Sequence, residues 1–446
     1  MSPNEYITLE PHRTARNKAA ARVPIKSGDV ILSDSALVTA LFPAEKGRRC
    51  DYCHHLPRGR DRLLKCSGCA AFWYCGVSCQ RKQWRTHKKI CKQYNAYTAS
   101  SEYQTLDSRE QTDAVLLSHL LAQVHPPDSK SGPESKDAIR IFFDLLKGSS
   151  PGINNPPFCG DRDPNISQIA GDIYSRFGNN NFVVHSHLTA YAHGVFPLAS
   201  RLFNHSCYPN CVVKYTITPQ DGVAMNVVAI RSIAYGEEIT VPYLDPALPL
   251  ETRMNALRMN YGFSCTCPLC TFQGRPGLTK SLPLASELGA LEDVLRKYVE
   301  SRSSDNQFNV DSNRHPWAGI PNQLPALFHE AYLPQLAETF SRTSHEGDYG
   351  TALDSGRTLA AYYALIYPSN YPQIGMHALE LAKTAWNYVV SQEMSSTSPS
   401  SEMGDVEACA REYLALSRQV LERFGPEGDE DGPLEEIRVL RELLQC

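Results

Sequence analysis

The chain has 446 residues, 42% of them hydrophobic and 21% charged, with a net charge of −4. That length exceeds one ordinary core and predicts two or three domains, while the composition is that of a water-soluble globular protein. No run of eighteen apolar residues occurs, so no membrane span is expected, and Met1 to Glu10 lacks the basic-then-apolar pattern of a secretory signal.

Without such a signal, 15 cysteines point to metal ligation rather than disulfides. The charge is uneven. From Lys46 to Lys92 there are thirteen Lys or Arg against two Asp, about +11, which leaves about −15 for the remainder.

Taken in order, Ile25-Lys26-Ser27-Gly28-Asp29-Val30-Ile31-Leu32 reads as a turn entering a strand, with the glycine free to take positive φ. Ile233-Ala234-Tyr235-Gly236-Glu237-Glu238-Ile239-Thr240 repeats that grammar 208 residues later, a weak internal echo. Between them runs Cys50-x2-Cys53-x12-Cys66-x2-Cys69-x5-Cys75-x3-Cys79-x7-His87-x3-Cys91. Eight sulfur or imidazole ligands in four pairs are what two closed tetrahedral zinc sites require. Spacing alone leaves the pairing of ligands open.

Leu106 to Val124 reads as helix, with Leu116, Leu117, Leu120 and Leu121 at helical spacing. Pro126 to Lys136 reads as loop, Asp137 to Lys147 as helix, and Gly148 to Pro164 as a long loop rich in Pro, Gly and Asn. Then Asn204-His205-Ser206-Cys207-Tyr208-Pro209-Asn210-Cys211 packs an amide, an imidazole and two thiols into one short stretch. Gly236-Glu237-Glu238-Ile239-Thr240-Val241-Pro242-Tyr243 follows, then Tyr261-Gly262-Phe263-Ser264-Cys265-Thr266-Cys267-Pro268-Leu269-Cys270. Cys265, Cys267 and Cys270 supply three thiolates that lack a fourth ligand.

From about Leu282 amphipathic helix prevails: Leu284, Leu288, Leu291 and Leu295 in one, and Ala378, Leu379, Leu381, Ala382 and Ala385 in another. Ser391 to Glu402 reads as a Ser-rich linker. Helices resume over Val406–Phe424 and Leu434–Leu444, which predicts antiparallel helical hairpins stacked like tetratricopeptide repeats, although no repeat consensus is visible.

The three segments that begin at Asn204, Gly236 and Tyr261 resemble a SET domain with its cysteine-rich post-SET tail. The cysteine octet with Phe72-Trp73-Tyr74-Cys75 resembles a MYND finger. Ala352 to Tyr388, with Tyr367-Pro368 and Tyr371-Pro372, is similar to the C-terminal domain of the SET-and-MYND lysine methyltransferase family, and the plan of the whole chain resembles that family.

The resemblance implies an α+β multidomain protein. Its β-rich SET fold would be split by the MYND zinc finger and followed by a post-SET zinc segment and an all-α, helical-repeat-like C-terminal domain. The boundaries are 1–49 (N-terminal SET part), 50–91 (finger), 92–177 (helical insert), 178–245 (core SET), 246–275 (post-SET) and 276–446 (C-terminal helices). Crosswise pairing puts Cys50, Cys53, Cys75 and Cys79 on one zinc and Cys66, Cys69, His87 and Cys91 on another. Cys207 then joins Cys265, Cys267 and Cys270 on a third, and Cys211 is a buried apolar residue.

The implied activity is methyl transfer from S-adenosylmethionine to lysine of histone or non-histone proteins. Asn204 and His205 would hold the cofactor's amino-acid or adenine end, with Asn180 and Asn17 as further contacts. Tyr243 would stand at the methyl-transfer channel, with Tyr261 and Phe263 as channel and adenine-stacking aromatics; an aromatic wall suits a lysine stem and its ammonium. The family's glycine-rich cofactor loop corresponds to Ala15-Arg16-Asn17-Lys18-Ala19-Ala20-Ala21, where Arg16 and Lys18 replace both glycines. Either cofactor binding is weakened or the loop adjusts. The alternative is a catalytically inactive MYND adaptor in transcriptional regulation. A proline-containing peptide is the family's partner for the finger, and the finger's positive charge adds sequence-indifferent nucleic acid as a second. A monomer in nucleus and cytoplasm, with no membrane partner, is expected.

Overall fold

The structure, a computed structural model, describes residues 5–57, 59, 61–125, 133–148, 164–275, 282–304, 315–395, 401–429 and 432–445. The chain opens with β1 (Ile7–Glu10), β2 (Lys18–Ala21), β3 (Val30–Ser35) and β4 (Val38–Leu41). Strands β5 (Leu64–Lys65) and β6 (Trp73–Tyr74) and helix α1 (Val77–Ile90) build the cysteine-rich finger. Next come α2 (Tyr94–Thr98), α3 (Ser101–Gln104), α4 (Ser108–Val124), α5 (Pro133–Asp144) and α6 (Pro164–Phe177). The chain then returns to sheet with β7 (Asn181–Ser186) and β8 (Thr189–Val195), followed by α7 (Pro197–Leu202), β9 (Asn204–His205), β10 (Cys211–Thr218), β11 (Gly222–Ala229) and β12 (Thr240–Val241).

Early and late strands share sheets. β3 lies beside β11 in the order β10-β11-β3, and β4 lies beside β8 in the order β4-β8-β7. The two halves of the sequence echo are direct neighbours: Ile25 and Ile233 exchange both backbone hydrogen bonds, at 2.9 and 3.0 Å. Each segment turns on its glycine, Gly28 at φ +94° and Gly236 at φ +76°, in the region that side chains disfavour. The echo is therefore a pair of matched turns at one seam of the β domain.

Helix α4 is capped at its start by a reciprocal pair. Asp107 accepts from the Arg109 and Glu110 N–H groups (2.8 Å each), and Glu110 accepts from the Asp107 N–H (3.0 Å). Its buried residues run almost continuously from Ala114 to Ala122, as expected of a helix enclosed on all sides. The finger and the helical insert share the core it enters, where Phe72, Tyr74 and Ile90 pack with Leu116, Leu117, Phe142 and Phe177. A second core fills the β domain around Ile31, Tyr191, Phe196, Tyr215 and Val227.

After β12, α8 (Leu250–Ala256) runs into a π-helical turn (Leu257–Tyr261), and α9 (Pro268–Gln273) ends the cysteine-rich tail. The C-terminal helices are α10 (Ala285–Ser304), α11 (Tyr332–Glu346), α12 (Tyr349–Ile366), α13 (Pro372–Ser395), α14 (Ser401–Leu421) and α15 (Pro433–Leu443). Their core is continuous with the tail: Leu269 and Phe272 pack with Trp317, Leu327 and Tyr362, and the Phe272 and Trp317 rings stack at 5.2 Å.

Two sequence expectations change here. The Ser391–Glu402 stretch is mostly helix, because α13 reaches Ser395 and α14 begins at Ser401, with 396–400 outside the described residues. Buried Val389 and Val406 sit on facing helices, and that packing overrides the weak helix propensity of serine. Leu284 precedes α10 and is exposed, whereas Leu295 is fully buried. Most of the expected 126–136 and 148–164 loops lies outside the described residues, and Pro133 already begins α5.

The turn between α14 and α15 straps the C-terminal helices to the β domain. Ile217 N–H donates to the Glu427 carbonyl (2.9 Å), His187 N–H donates to the Glu427 carboxyl (2.6 Å), and Arg49 holds Asp429 at 2.9 and 3.1 Å. Gly428, at φ +102°, admits no β-carbon, which would lie 2.4 Å from the Ile217 carbonyl oxygen. Burial raises the Glu427 pKa from the ordinary 4.5 to about 7. The folded chain thus retains a proton that the unfolded chain gives up, so stability falls as pH rises from about 4.5 and the full penalty stands above about 7. The shift is worth about 3 kcal/mol. Glu427→Gln is expected to match wild type closely near pH 5 and to exceed it by up to that amount at pH 8 in urea unfolding. A pH-independent difference would refute this.

Candidate active site and three thiolate tetrads

Twelve side chains gather into three tetrads: Cys50, Cys53, Cys75 and Cys79; Cys66, Cys69, His87 and Cys91; and Cys207, Cys265, Cys267 and Cys270. Within each, the donor atoms all lie within 4.8 Å of one another. A tetrahedron of about 2.3 Å zinc–sulfur bonds has edges of about 3.8 Å. The edges agree: 3.6 Å for Cys53–Cys75, 3.8 Å for Cys66–Cys91 and 3.5 Å for Cys207–Cys270. His87 points Nε2 at Cys66 and Cys69 (3.4 and 3.5 Å) and is braced by the Phe72 ring at 4.3 Å. The three groups match three zinc ions, each closed by four protein ligands and therefore structural. Cys211 stands apart from them, fully buried in the β-domain core.

The third tetrad joins two stretches far apart in sequence. Cys207 follows β9, and Cys270 lies in the first turn of α9, which Pro268 starts at a position where no N–H is needed. Between them, β9 pairs parallel with β12, Asn204 beside Thr240 and His205 beside Val241.

Around this pairing the carried-over residues converge. Asn204 spends both amide hydrogens on protein acceptors, the Asn17 carbonyl and the Glu238 carboxylate (2.8 Å each). Its carboxamide oxygen is the atom left for a ligand donor. His205 accepts from the Tyr243 N–H at Nδ1 (2.9 Å), which places its proton on Nε2, facing Cys207 Sγ at 3.1 Å. With both ring nitrogens engaged, His205 offers a cofactor only its backbone and ring face.

The Tyr243 hydroxyl donates to the Phe203 carbonyl (2.6 Å), so its lone pairs face away from that bond. Burial pushes its pKa above the ordinary tyrosine range, with a further push from Tyr261. Tyr261 packs against Tyr243 at 4.9 Å, and Phe263 lies 6.0 Å from the His205 ring. Gly262, at φ +74°, ends the π-helical turn and reverses the chain between these two aromatics.

Asn180 donates to the Arg176 carbonyl (2.6 Å) and so closes the end of α6. It is reached from the Asn17 side through the end of α5. Asp144 holds Arg16 (3.0 Å) and Arg201 (3.2 Å), and Gly148 lies so close to Asn179 that a β-carbon would meet its amide at 2.4 Å. Arg16 therefore fastens the loop to the insert, and Lys18 pairs with Glu10 across β1 and β2 at 3.0 Å. Neither residue has positive φ, so the loop has adjusted to the lost glycines without backbone strain. The free Asn204 carboxamide oxygen and the aromatic faces of Tyr261 and Phe263 fit S-adenosylmethionine, whereas Asn17 meets Asn204 through its backbone carbonyl and Asn180 gives its amide to Arg176. Asn179 Oδ1 and Ser200 Oγ, both buried, have no partner among the described residues.

Two contributors escaped sequence reasoning. Asn210, nearly fully buried, donates to the Glu238 carbonyl and accepts from the Thr240 N–H (2.8 Å each), stitching β12 to the Asn204 segment. Its place in the same eight-residue stretch was the available signal. Arg253, beside the third tetrad, had no such signal.

The β-rich domain sets Asn204 and His205 on β9 beside β12, with Tyr243 two residues beyond β12 and a cysteine-rich tail closing over them. The chain belongs to the SET domain family, whose model matches residues 19–244. It is 27% identical over 414 residues to "Histone-lysine N-methyltransferase SMYD3" of Homo sapiens, covering 85% of this chain and 88% of that one. It is 28% identical over 262 residues to "N-lysine methyltransferase SMYD2" of Homo sapiens, 56% of each. To the Gallus gallus SMYD2 it is 26% identical over 378 residues, 80% and 83%. The solved SET domain of LSMT bound to lysine and AdoHcy aligns with a TM-score of 0.30 at 12% identity over 99% of this chain and 88% of that one, too low for structural inference.

Proposed function

We propose that this chain is an S-adenosylmethionine-dependent protein-lysine N-methyltransferase. The observation that carries the reading is the orientation of Tyr243. With its proton committed to Phe203, its oxygen is a fixed acceptor beside an aromatic wall of Tyr261 and Phe263. The cofactor supplies a methyl group on a sulfonium. The chain's task is to align a neutral lysine amine for in-line displacement and to exclude water. The displacement would join the lysine nitrogen to that methyl group, leave the cofactor as the neutral thioether and release the surplus proton to solvent. The aromatic faces hold the lysine stem, and Asn204, Asn17 and Asn180 hold the amino-acid end of the cofactor.

Calorimetric titration of the zinc-loaded chain with S-adenosylmethionine, followed by methyl incorporation into histones and a lysine-rich protein pool, tests this. Binding without incorporation into any pool, or no binding at all, would count against it. Asn204→Ala removes one ligand contact and the tie between Asn17 and Glu238. An unpaired buried group costs about 1–3 kcal/mol, so affinity is expected to fall about ten- to a hundredfold with the far-ultraviolet spectrum unchanged. Unchanged affinity would remove Asn204 from the site.

For the finger we propose a proline-containing peptide as partner in preference to nucleic acid. Five cations of the basic 46–92 stretch are engaged within the chain: Lys46 on Asp51, Arg48 on Glu45, Arg49 on Asp429, Lys82 on the Pro219 carbonyl and Lys89 on the Ala122 carbonyl. Trp84 and Leu64 stand exposed on the same module. Fluorescence anisotropy with a proline-rich peptide and a DNA duplex at two salt concentrations separates the two, since duplex binding falls steeply with salt.

A further inference from the structure

Arg253 is the largest fully buried side chain of the β domain and its tail, with none of its surface exposed. A guanidinium cannot shed its proton, and a buried cation without a counter-charge is costly. Yet no carboxylate lies within ion-pair distance of it among the described residues. Its hydrogens go to the Pro246 carbonyl (2.8 Å), the Leu248 carbonyl and the Gln273 side-chain oxygen, all neutral, and Nε has no acceptor. The remaining contact is Nη2 to Cys270 Sγ, at 3.8 Å.

The missing negative charge is that of the third tetrad. Four thiolates on one zinc ion carry a net charge of −2, and one adjacent guanidinium halves it. We propose that Arg253 is the resident counter-cation of this tetrad, a positioning residue that sets how tightly the third zinc is held and, through it, where Tyr261 stands. Arg253 lies in α8, which leads without interruption into the π-helical turn that ends at Tyr261. One side chain thus links the metal, the 246–248 turn and the helix that carries a channel aromatic. The inference rests on the reading of the third tetrad as a zinc site.

The test uses the full zinc-loaded chain with Arg253→Met, Arg253→Gln and Arg253→Lys, titrated with a chromophoric chelator that reports each zinc released. Partners that flank metal ligands typically contribute about 10–100-fold to affinity. Met and Gln are expected to weaken one zinc of three by that factor, and Lys, which keeps the charge but not the fork, to hold it within a few-fold of wild type. If Arg253 only ties the carbonyls of the 246–248 turn, Lys fails as badly as Met. That result overturns the proposal, as does wild-type retention in Met or Gln. Cobalt loading is the second readout, should Met fold poorly. The thiolate-to-cobalt absorption is expected at longer wavelength in Gln than in wild type or Lys, and an unmoved band overturns the proposal. Two zinc ions in the wild type, rather than three, would overturn the third-site reading itself.

Discussion

Tyr243→Phe is expected to leave fold and cofactor affinity near wild type and to cut methyl transfer by about a hundredfold or more. The substitution removes one oxygen. The Phe203 carbonyl loses its donor, a cost of about 1–3 kcal/mol that a domain with a well-packed core tolerates. The ring contacts to Tyr261 and His205 survive, so the channel keeps its walls. What is lost is a lone pair fixed in direction. Small misplacements of a reacting pair cost about a hundredfold in rate. Measured side by side on one lysine-rich substrate, with cofactor binding checked by calorimetry, equal rates would remove Tyr243 from the chemistry.

Cys207→Ala is expected to lower zinc content from three to two and to bring methyl transfer to background. In small finger peptides, structural zinc binding is worth about 10–16 kcal/mol and is inseparable from folding. In this chain zinc in the third tetrad would tie the Asn204–His205 strand to the Cys265–Cys270 segment. His205 Nε2 loses its sulfur partner at the same time. Hydrogen exchange should quicken across 257–273 and stay unchanged in the finger, whose two tetrads share no residue with the third. Three zinc ions retained, or exchange quickened throughout, would contradict this.

The metal ligands were legible in the sequence because ligand spacing is local: each pair falls within a turn or one helix of its partner. The crosswise pairing and Cys207 as fourth ligand, 58 residues from Cys265, came instead from the family resemblance, and the structure groups the twelve side chains that way. The network between motifs was not legible. Nothing in Gly-Glu-Glu says that Glu238 takes one Asn204 hydrogen while Asn210 accepts from the Thr240 N–H, since those bonds cross 34 and 30 residues. Arg253 carries no sequence signal, and only the folded chain buries it against sulfur. The Arg16 and Lys18 replacements looked like damage to a cofactor loop, because sequence shows the loss of glycine but not the Asp144 and Glu10 partners that accept the new side chains.

The way the finger and helical insert leave the β domain has an engineering consequence. The chain departs at the end of β4 and returns at the start of β7, and both strands flank β8, with Val38 and Asn181 each opposite Val195. Two strand spacings and three residues of rise separate exit from re-entry, about 14 Å, a gap that about five extended residues bridge. The entropic cost of closing a loop grows only logarithmically with its length, so closure itself costs nearly the same for a short turn or a whole module, and what differs is the cover over Val38, Ala40 and Val195, which now pack with the finger and insert. A SET core carrying a foreign domain between residues 42 and 180 should therefore assemble its β9–β12 pair, provided the graft covers Val38, Ala40 and Val195 and supplies one carboxylate to meet Arg16 and Arg201 where Asp144 does now.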